Sequence, residues 1–364
     1  MEVPDTDGFA RVPPAHPSIL YFGRIDCSDP NAPAFAHAGI SIRMRFEGEA
    51  VRLHLKDFGD GKAFNYYNVI IDGRAPERLE VSPYEEGYLL AEGLPAGPHT
   101  VEVFKRGESC PGDRPGAGKA AFLGFSIRGD ARVLPLKPNP LRMEFVGDSI
   151  TCGYGNEVST MVPEKYPFTS ENENAYVAWG AIAARELEAE YMSVAYSGRG
   201  MYRNWDSFPG ETVPEMYLKI FPDEPDSPLW EPSRYVPDVT VVNLGTNDYS
   251  ENAPDIDAVK RHYRIEAARF VETLRGYYPD TAIILAAGPM LSDSYPAGYD
   301  ALSDVTAALT DIVLTRRHAG DDRVYFLSLS PHSAPWGEDW HPSAASHRRA
   351  ADELIRFIEE KGIL

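Results

Sequence analysis

The 364-residue chain has only three cysteines, Cys27, Cys110 and Cys152. They are too few and too scattered for a disulfide framework and lack the close pairing that zinc favours, so free thiols are expected. No run approaches the ~18 apolar residues of a membrane span. Basic residues are also scarce: Lys and Arg total 35 against 55 Asp and Glu, a formal charge of −20 at pH 7. That balance repels phosphate backbones and anionic lipid surfaces, so neither nucleic acid nor membrane is an expected partner and a neutral ligand fits better. The opening Met1-Glu2-Val3-Pro4-Asp5 has neither a basic nor an apolar segment, so no signal peptide is read. A cytoplasmic protein and a secreted one with its leader removed both remain open. Internal repeats and low-complexity tracts are lacking too.

What is present reads as globular, with 43% hydrophobic residues, 11% aromatics and a length that suits two domains. From about Ser18 to Gly129 the chain shows short strands separated by turns: 40–46, 50–56, 66–71, 88–92, 100–105 and 121–128. Val51-Arg52-Leu53-His54-Leu55-Lys56 alternates cleanly, and Asp72-Gly73 and Glu47-Gly48 supply turn chemistry. A two-sheet sandwich of jelly-roll type is expected. A Gly/Pro-rich stretch covers 107–118, and the proline-rich stretch from Arg132 to Pro140 reads as a linker, placing the domains at 1–135 and 136–364. Beyond it, buried-strand candidates at 142–146, 191–195, 239–243, 282–286 and 324–327 alternate with amphipathic helices near 175–188, 255–277, 302–318 and 342–360. This pattern predicts an α/β/α domain on a five-stranded parallel, flavodoxin-like sheet, whose ligands sit at the carboxyl ends of the strands.

Three of those ends carry chemistry. Phe145-Val146-Gly147-Asp148-Ser149 stops at a glycine and presents a serine, Ser197-Gly198 follows the next strand, and Gly245-Thr246-Asn247-Asp248 follows the third. A serine needs a base and oxyanion donors. Backbone N–H groups of Ser149 and Gly198 and the Asn247 amide supply the donors. Among nine histidines, His341 is the best placed base, because Pro342 keeps it out of helix at the mouth of the last helical segment. His332 is its rival, and Cys152 reads as a small packing residue.

These four blocks, taken in order and spacing, resemble the SGNH (GDSL-like) hydrolases over residues 140–364. With the preceding jelly roll and the segments Gly147–Gly155, Ser197–Asn204 and Asp339-Trp340-His341-Pro342, the chain is most similar to the family 2 carbohydrate esterases. The resemblance implies removal of acetyl groups from sugar hydroxyls, with a preference for O-6 of hexoses and no cofactor. One position departs from the pattern: where an aspartate three residues before the histidine usually orients the imidazole, this chain has Glu338, with Asp339 one residue later. Glu338, Asp339 or a backbone carbonyl can fill the role, giving a triad or a Ser149–His341 dyad.

Around the blocks, Tyr154, Tyr202, Trp205, Trp336 and Trp340 offer faces for a pyranose ring, and Arg203 and Asn204 offer hydrogen bonds, to sugar hydroxyls or within their loop. The expected activity is a serine esterase acting on acetylated plant-type glycans such as xylan or glucomannan. A carbohydrate-binding protein with secondary chemistry and a small-ester or lipid esterase are the alternatives, the last disfavoured by the lack of an apolar lid segment. Oligomeric state is not legible.

Overall fold

The computed structural model describes residues 7–62, 64–108, 118–129 and 131–364; Cys110 and most of the Gly/Pro-rich stretch lie outside them. The chain divides into two compact units, one of residues up to 138 together with 220–229, the other of 139–219 and 230–364.

The first unit is an antiparallel sandwich. One sheet holds β1 (Phe9–Val12), β3 (Ile25–Asp26), β4 (Ala34–Phe35), β6 (Ala50–Asp57), β9 (Gly87–Glu92) and β11 (Ala120–Arg128). The other holds β2 (Leu20–Phe22), β5 (Ser41–Glu47), β7 (Asn65–Ile71), β8 (Glu77–Val81), β10 (Pro98–Lys105) and β12 (Arg132–Leu134). Alternation in β6 turns Val51, Leu53 and Leu55 inward, where they join Phe122 and Phe125 of β11 and Met44, Phe46, Val101 and Val103 of the other sheet in one buried core. All six expected strands are present. Six more were not read from sequence, mostly because they are two to five residues long and, like the exposed edge strand β8, carry little apolar signal. The expected linker needs correction: Arg132–Leu134 pairs with Arg45–Glu47 of β5, so the sandwich runs on until the first proline at 135.

In the second unit β13 (Leu141–Gly147), β14 (Ala189–Ala195), β15 (Val239–Asn243), β16 (Ala282–Ala287) and β17 (Val324–Ser328) form one parallel sheet in the order β14-β13-β15-β16-β17. Every residue of β14, β15 and β16 is buried, including the polar Glu190, Ser193, Thr240 and Asn243; β16 alone is an unbroken apolar run. The helices are α1 (Ser149–Cys152), α2 (Trp179–Glu186), α3 (Val213–Met216), α4 (Ile256–Tyr277), α5 (Ala301–His318) and α6 (Ala344–Lys361), with α2 packed on α6 and α4 on α5. Two expected helices begin late. Extended backbone at Ala178 cuts a short turn at 175–177 from α2, and α6 starts after Ser343 rather than at Pro342. Among the described residues no helix is long and apolar enough to cross a membrane.

Candidate active site

Ser149 stands where β13 stops. A Cβ on Gly147 would lie 2.1 Å from Thr151 Oγ1, so glycine is what allows α1 to fold back against the strand end. Asp148 caps α1 by accepting the Ile150 N–H at 3.0 Å, and Ser149, as the first helical residue, keeps an N–H with no intrahelical partner. Gly153, in the left-handed region at φ 83°, ends the helix and returns Tyr154 to donate its N–H to the Ser149 carbonyl at 3.0 Å.

The loops after β14 and β15 meet this turn. Asn247 Nδ2 donates to the Arg199 carbonyl at 2.8 Å and to Asp148 Oδ2 at 3.2 Å, which ties together the neighbour of Gly198, the neighbour of the serine and the asparagine. Behind them Asp248, fully buried, accepts the N–H groups of Met201 (2.9 Å), Tyr202 (2.7 Å) and Arg203 (2.9 Å). Burial pushes its carboxyl pKa up, and the three donors pull it back. In return the Arg203 guanidinium donates to the carbonyls of Asp248, Ser250 and Glu251. Asn204 is also internal: Oδ1 accepts from Gly200 N–H, and Nδ2 donates to the carbonyls of Phe208 and Gly210. Of the two roles open to them from sequence, these buried side chains brace the loop. The place given them as sugar ligands is corrected on that ground.

His341 follows a turn at 338–340 in which Asp339 and Trp340 both adopt left-handed backbone, φ 47° and 64°, a costly state for residues with a Cβ. Bonds from distant segments hold it. Glu338 N–H reaches the Gly155 carbonyl (3.0 Å), Asp339 N–H the Tyr166 carbonyl (2.9 Å), and His332 Nε2 the Trp340 carbonyl (2.8 Å). The result aims the Asp339 carbonyl at His341 Nδ1 (3.1 Å) while Nε2 meets Ser149 Oγ at 2.9 Å. A carbonyl only accepts, so Nδ1 carries the proton and the Nε2 lone pair faces the serine hydroxyl. Withdrawal from water holds the imidazole pKa down at about 4 against the opposing pull of Asp339, so the ring is neutral at pH 7 and able to take a proton.

Glu338 does not do what its position suggested. Its buried carboxylate accepts Thr169 N–H and Oγ1–H, each at 2.8 Å, and Asn172 Nδ2–H at 2.7 Å. Among the described residues no hydrogen bond joins either acidic side chain to His341; Asp339 presents its backbone instead. His332, the rival base, faces the carbonyls of Pro289 and Trp340 and supports the loop. Tyr154 lies flat on His341, 3.9 Å between centroids at 22°. Trp340 is 48% exposed with its edge on Trp336, and Tyr202 is 38% exposed and stacked on His262.

Known proteins resemble this chain over both units. Residues 21–136 match the carbohydrate esterase 2 N-terminal family and residues 145–349 the GDSL-like lipase/acylhydrolase family. A structure of a family two carbohydrate esterase from Clostridium thermocellum in complex with cellohexaose is 35% identical, covers 95% of this chain and all of that one, and superposes with a TM-score of 0.84. The chain belongs to carbohydrate esterase family 2. Two curated relatives are the cellulase/esterase CelE of Acetivibrio thermocellus, 34% identical over 95% of this chain, and an acetylxylan esterase/glucomannan deacetylase of Cellvibrio japonicus, 27% identical over 94% of this chain and 89% of the relative. The chain spans 40% of the length of the first.

In this member of family 2 several supporting residues escaped sequence reasoning. Thr169 and Asn172, which bind Glu338, lie more than 160 positions from it, and nothing local marks them. Asp248 had a signal, since an acidic residue directly after the block asparagine is a costly choice for a buried position unless donors await it.

Proposed function

We propose that the protein is a serine esterase that removes O-acetyl groups from carbohydrate, with Ser149 as nucleophile and His341 as its base. The observation that carries this is the 2.9 Å contact between Ser149 Oγ and the unprotonated Nε2 of an imidazole whose other nitrogen is fixed on a carbonyl. His341 takes the hydroxyl proton as Oγ attacks the acetyl carbonyl. The tetrahedral oxyanion receives the N–H groups of Ser149 and Gly198 and the Asn247 amide, which exchanges its longer contact, the 3.2 Å one to Asp148, for the new charge. The imidazolium then protonates the departing sugar oxygen, and water repeats the cycle to release acetate.

Acetylated xylan or glucomannan, with O-6 of a hexose as a candidate position, is the substrate class supported by the Cellvibrio japonicus relative's name, by the exposed rings of Trp340, Tyr202 and Trp205, and by a net charge suited to neutral glycans. Acetate release from a panel of singly acetylated sugars tests it. The parent is expected to deacetylate, and Ser149→Ala, with an unchanged circular dichroism spectrum, to lose activity by several orders of magnitude. Parent-like turnover by Ser149→Ala would sink the assignment. A second reading, retention of glycan without turnover, draws support from the Clostridium thermocellum structure, whose cellohexaose carries no acetyl group. Equal affinity for acetylated and bare oligosaccharides, with no acetate released, would select it.

A further inference from the structure

In a serine triad the carboxylate does two things: it fixes the plane of the imidazole and it stabilises the imidazolium that forms when the serine proton arrives. Here Nδ1 meets only a neutral carbonyl at 3.1 Å. A carbonyl sets the tautomer, yet one hydrogen bond leaves the ring free to swing about it and supplies only a partial negative charge. Something else must hold the plane.

The geometry supplies a stack. Tyr154 is five residues past Ser149, on the same turn, and its N–H is bonded to the Ser149 carbonyl. Its ring lies 3.9 Å from His341 at 22°, and Phe168 lies 4.4 Å behind it at 37°. Phe168 is placed in turn by the neighbouring Thr169, whose N–H and hydroxyl end on the buried Glu338 carboxylate. Next to Tyr154, Gly155 has φ 55°, and a Cβ there would stand 2.3 Å from Glu338 Cβ, so the turn and the Glu338 loop are in direct contact. The segment carrying the nucleophile thus also carries the ring that grips the base.

We propose that Tyr154 is a positioning residue of the dyad rather than a sugar contact: its ring, backed by Phe168, keeps Nε2 on Ser149 Oγ, and its π face stabilises the transient imidazolium. The inference rests on the esterase reading above. The groups facing His341 are Ser149 Oγ on Nε2 and the Asp339 carbonyl on Nδ1, with the Asp339 carboxylate raising its pKa and His332 lowering it; the Glu338 carboxylate faces Thr169 and Asn172 instead. Against this background loss of a π face makes the imidazolium less favourable, so the His341 pKa falls further.

The test uses 4-nitrophenyl acetate, an ester with no sugar to stack. Tyr154→Leu is expected to lower kcat roughly 3- to 30-fold, the range a ring face adds for a desolvated cation, with KM little changed and the acid limb of the pH profile moved to lower pH. Tyr154→Phe is expected to restore most of the lost kcat. Because Leu could disturb the fold, pentafluorophenylalanine at 154 provides a ring of nearly the same shape with its π face depleted, and kcat should again fall below that of Tyr154→Phe. Parent-like kcat in Tyr154→Leu, a change confined to KM, a phenylalanine variant as poor as leucine, or equal rates with and without fluorination each overturn the proposal. NMR titration of the His341 ring reads the same downward pKa shift without turnover, so failure of the esterase reading would leave this test standing.

Discussion

Two histidines in different units show what a single carboxylate decides. His99, on β10 of the sandwich, has Nδ1 on Asp72 Oδ2 and Nε2 on the Pro95 carbonyl, both at 2.8 Å. Burial lowers its pKa, but the Pro95 carbonyl and the Asp72 carboxylate outweigh it and the net shift is upward. His341 also has one nitrogen on a carbonyl, but its second partner is a serine hydroxyl, and its pKa goes down. With a carboxylate and a carbonyl as acceptors the protonated ring is favoured and serves as a brace. With one acceptor and one donor it stays neutral and keeps a lone pair for chemistry. In the first case a carboxylate is bonded to the ring; in the second the Asp339 carboxylate acts on it without a hydrogen bond.

That contrast can be broken at its strongest point by removing Asn247, the group proposed to meet the transient charge. Asn247→Ala is expected to lower kcat by ~10²–10³-fold on acetylated sugar with a small change in KM, because the amide acts mainly on the oxyanion. A rise in KM at constant kcat would make Asn247 a ground-state ligand instead. Next in size, Glu338→Ala sharpens the claim that His341 works without a carboxylate. It leaves Thr169 and Asn172 without their acceptor and loosens the loop behind Phe168, so a kcat loss of about tenfold with a lowered Tm is expected. Asp339→Ala should cost less, since its backbone does the work; a drop above a hundredfold in just one of the two would restore a triad. The smallest effect belongs to the brace. Asp72→Asn removes the partner that raises the His99 pKa. A raised histidine stabilises below its unfolded pKa near ~6.5 and loses that contribution as pH rises through its folded value, while Asp72, which burial raises but the bonds from His99 and Thr100 lower on balance, contributes above the usual carboxylate range. The Tm difference from the parent should therefore be about 1–3 °C near pH 5–6 and shrink as pH rises through the raised His99 pKa. A difference that grows with pH would refute the cationic brace.

Much of the frame was legible because it follows periodicity. The runs that became β13, β14 and β15 are mostly apolar and end at Gly147, Ala195 and Asn243, so the rim positions of Ser149, Gly198 and Asn247 follow from the sheet alone. His341 was found through Pro342, and its backbone is extended with ψ 164°, as a residue before proline should be. What stayed hidden depends on pairs far apart in sequence. The ring on His341 comes from 187 positions upstream, and the carbonyls that accept from the Arg203 Nη atoms lie more than 40 positions away. Side chains such as Arg203 and Asn204 look like surface ligands in a linear reading, because burial of a polar residue is paid for by partners that no local pattern announces.

The sheet order has one more consequence. After β13 the chain moves to one side to build β14, then crosses to the other side to build β15. The loops at the carboxyl ends of β13 and β15 therefore part company, and a cleft opens at this switch point by topology before any side chain shapes it. Within this unit, the part of the link that follows β14, residues 196–219, contains no helix longer than the four residues of α3, so it is loop beside sheet. Insertions, deletions or new aromatic residues in that loop leave the strand ends that carry Ser149 and Asn247 where they are. A change in that loop needs no change of frame.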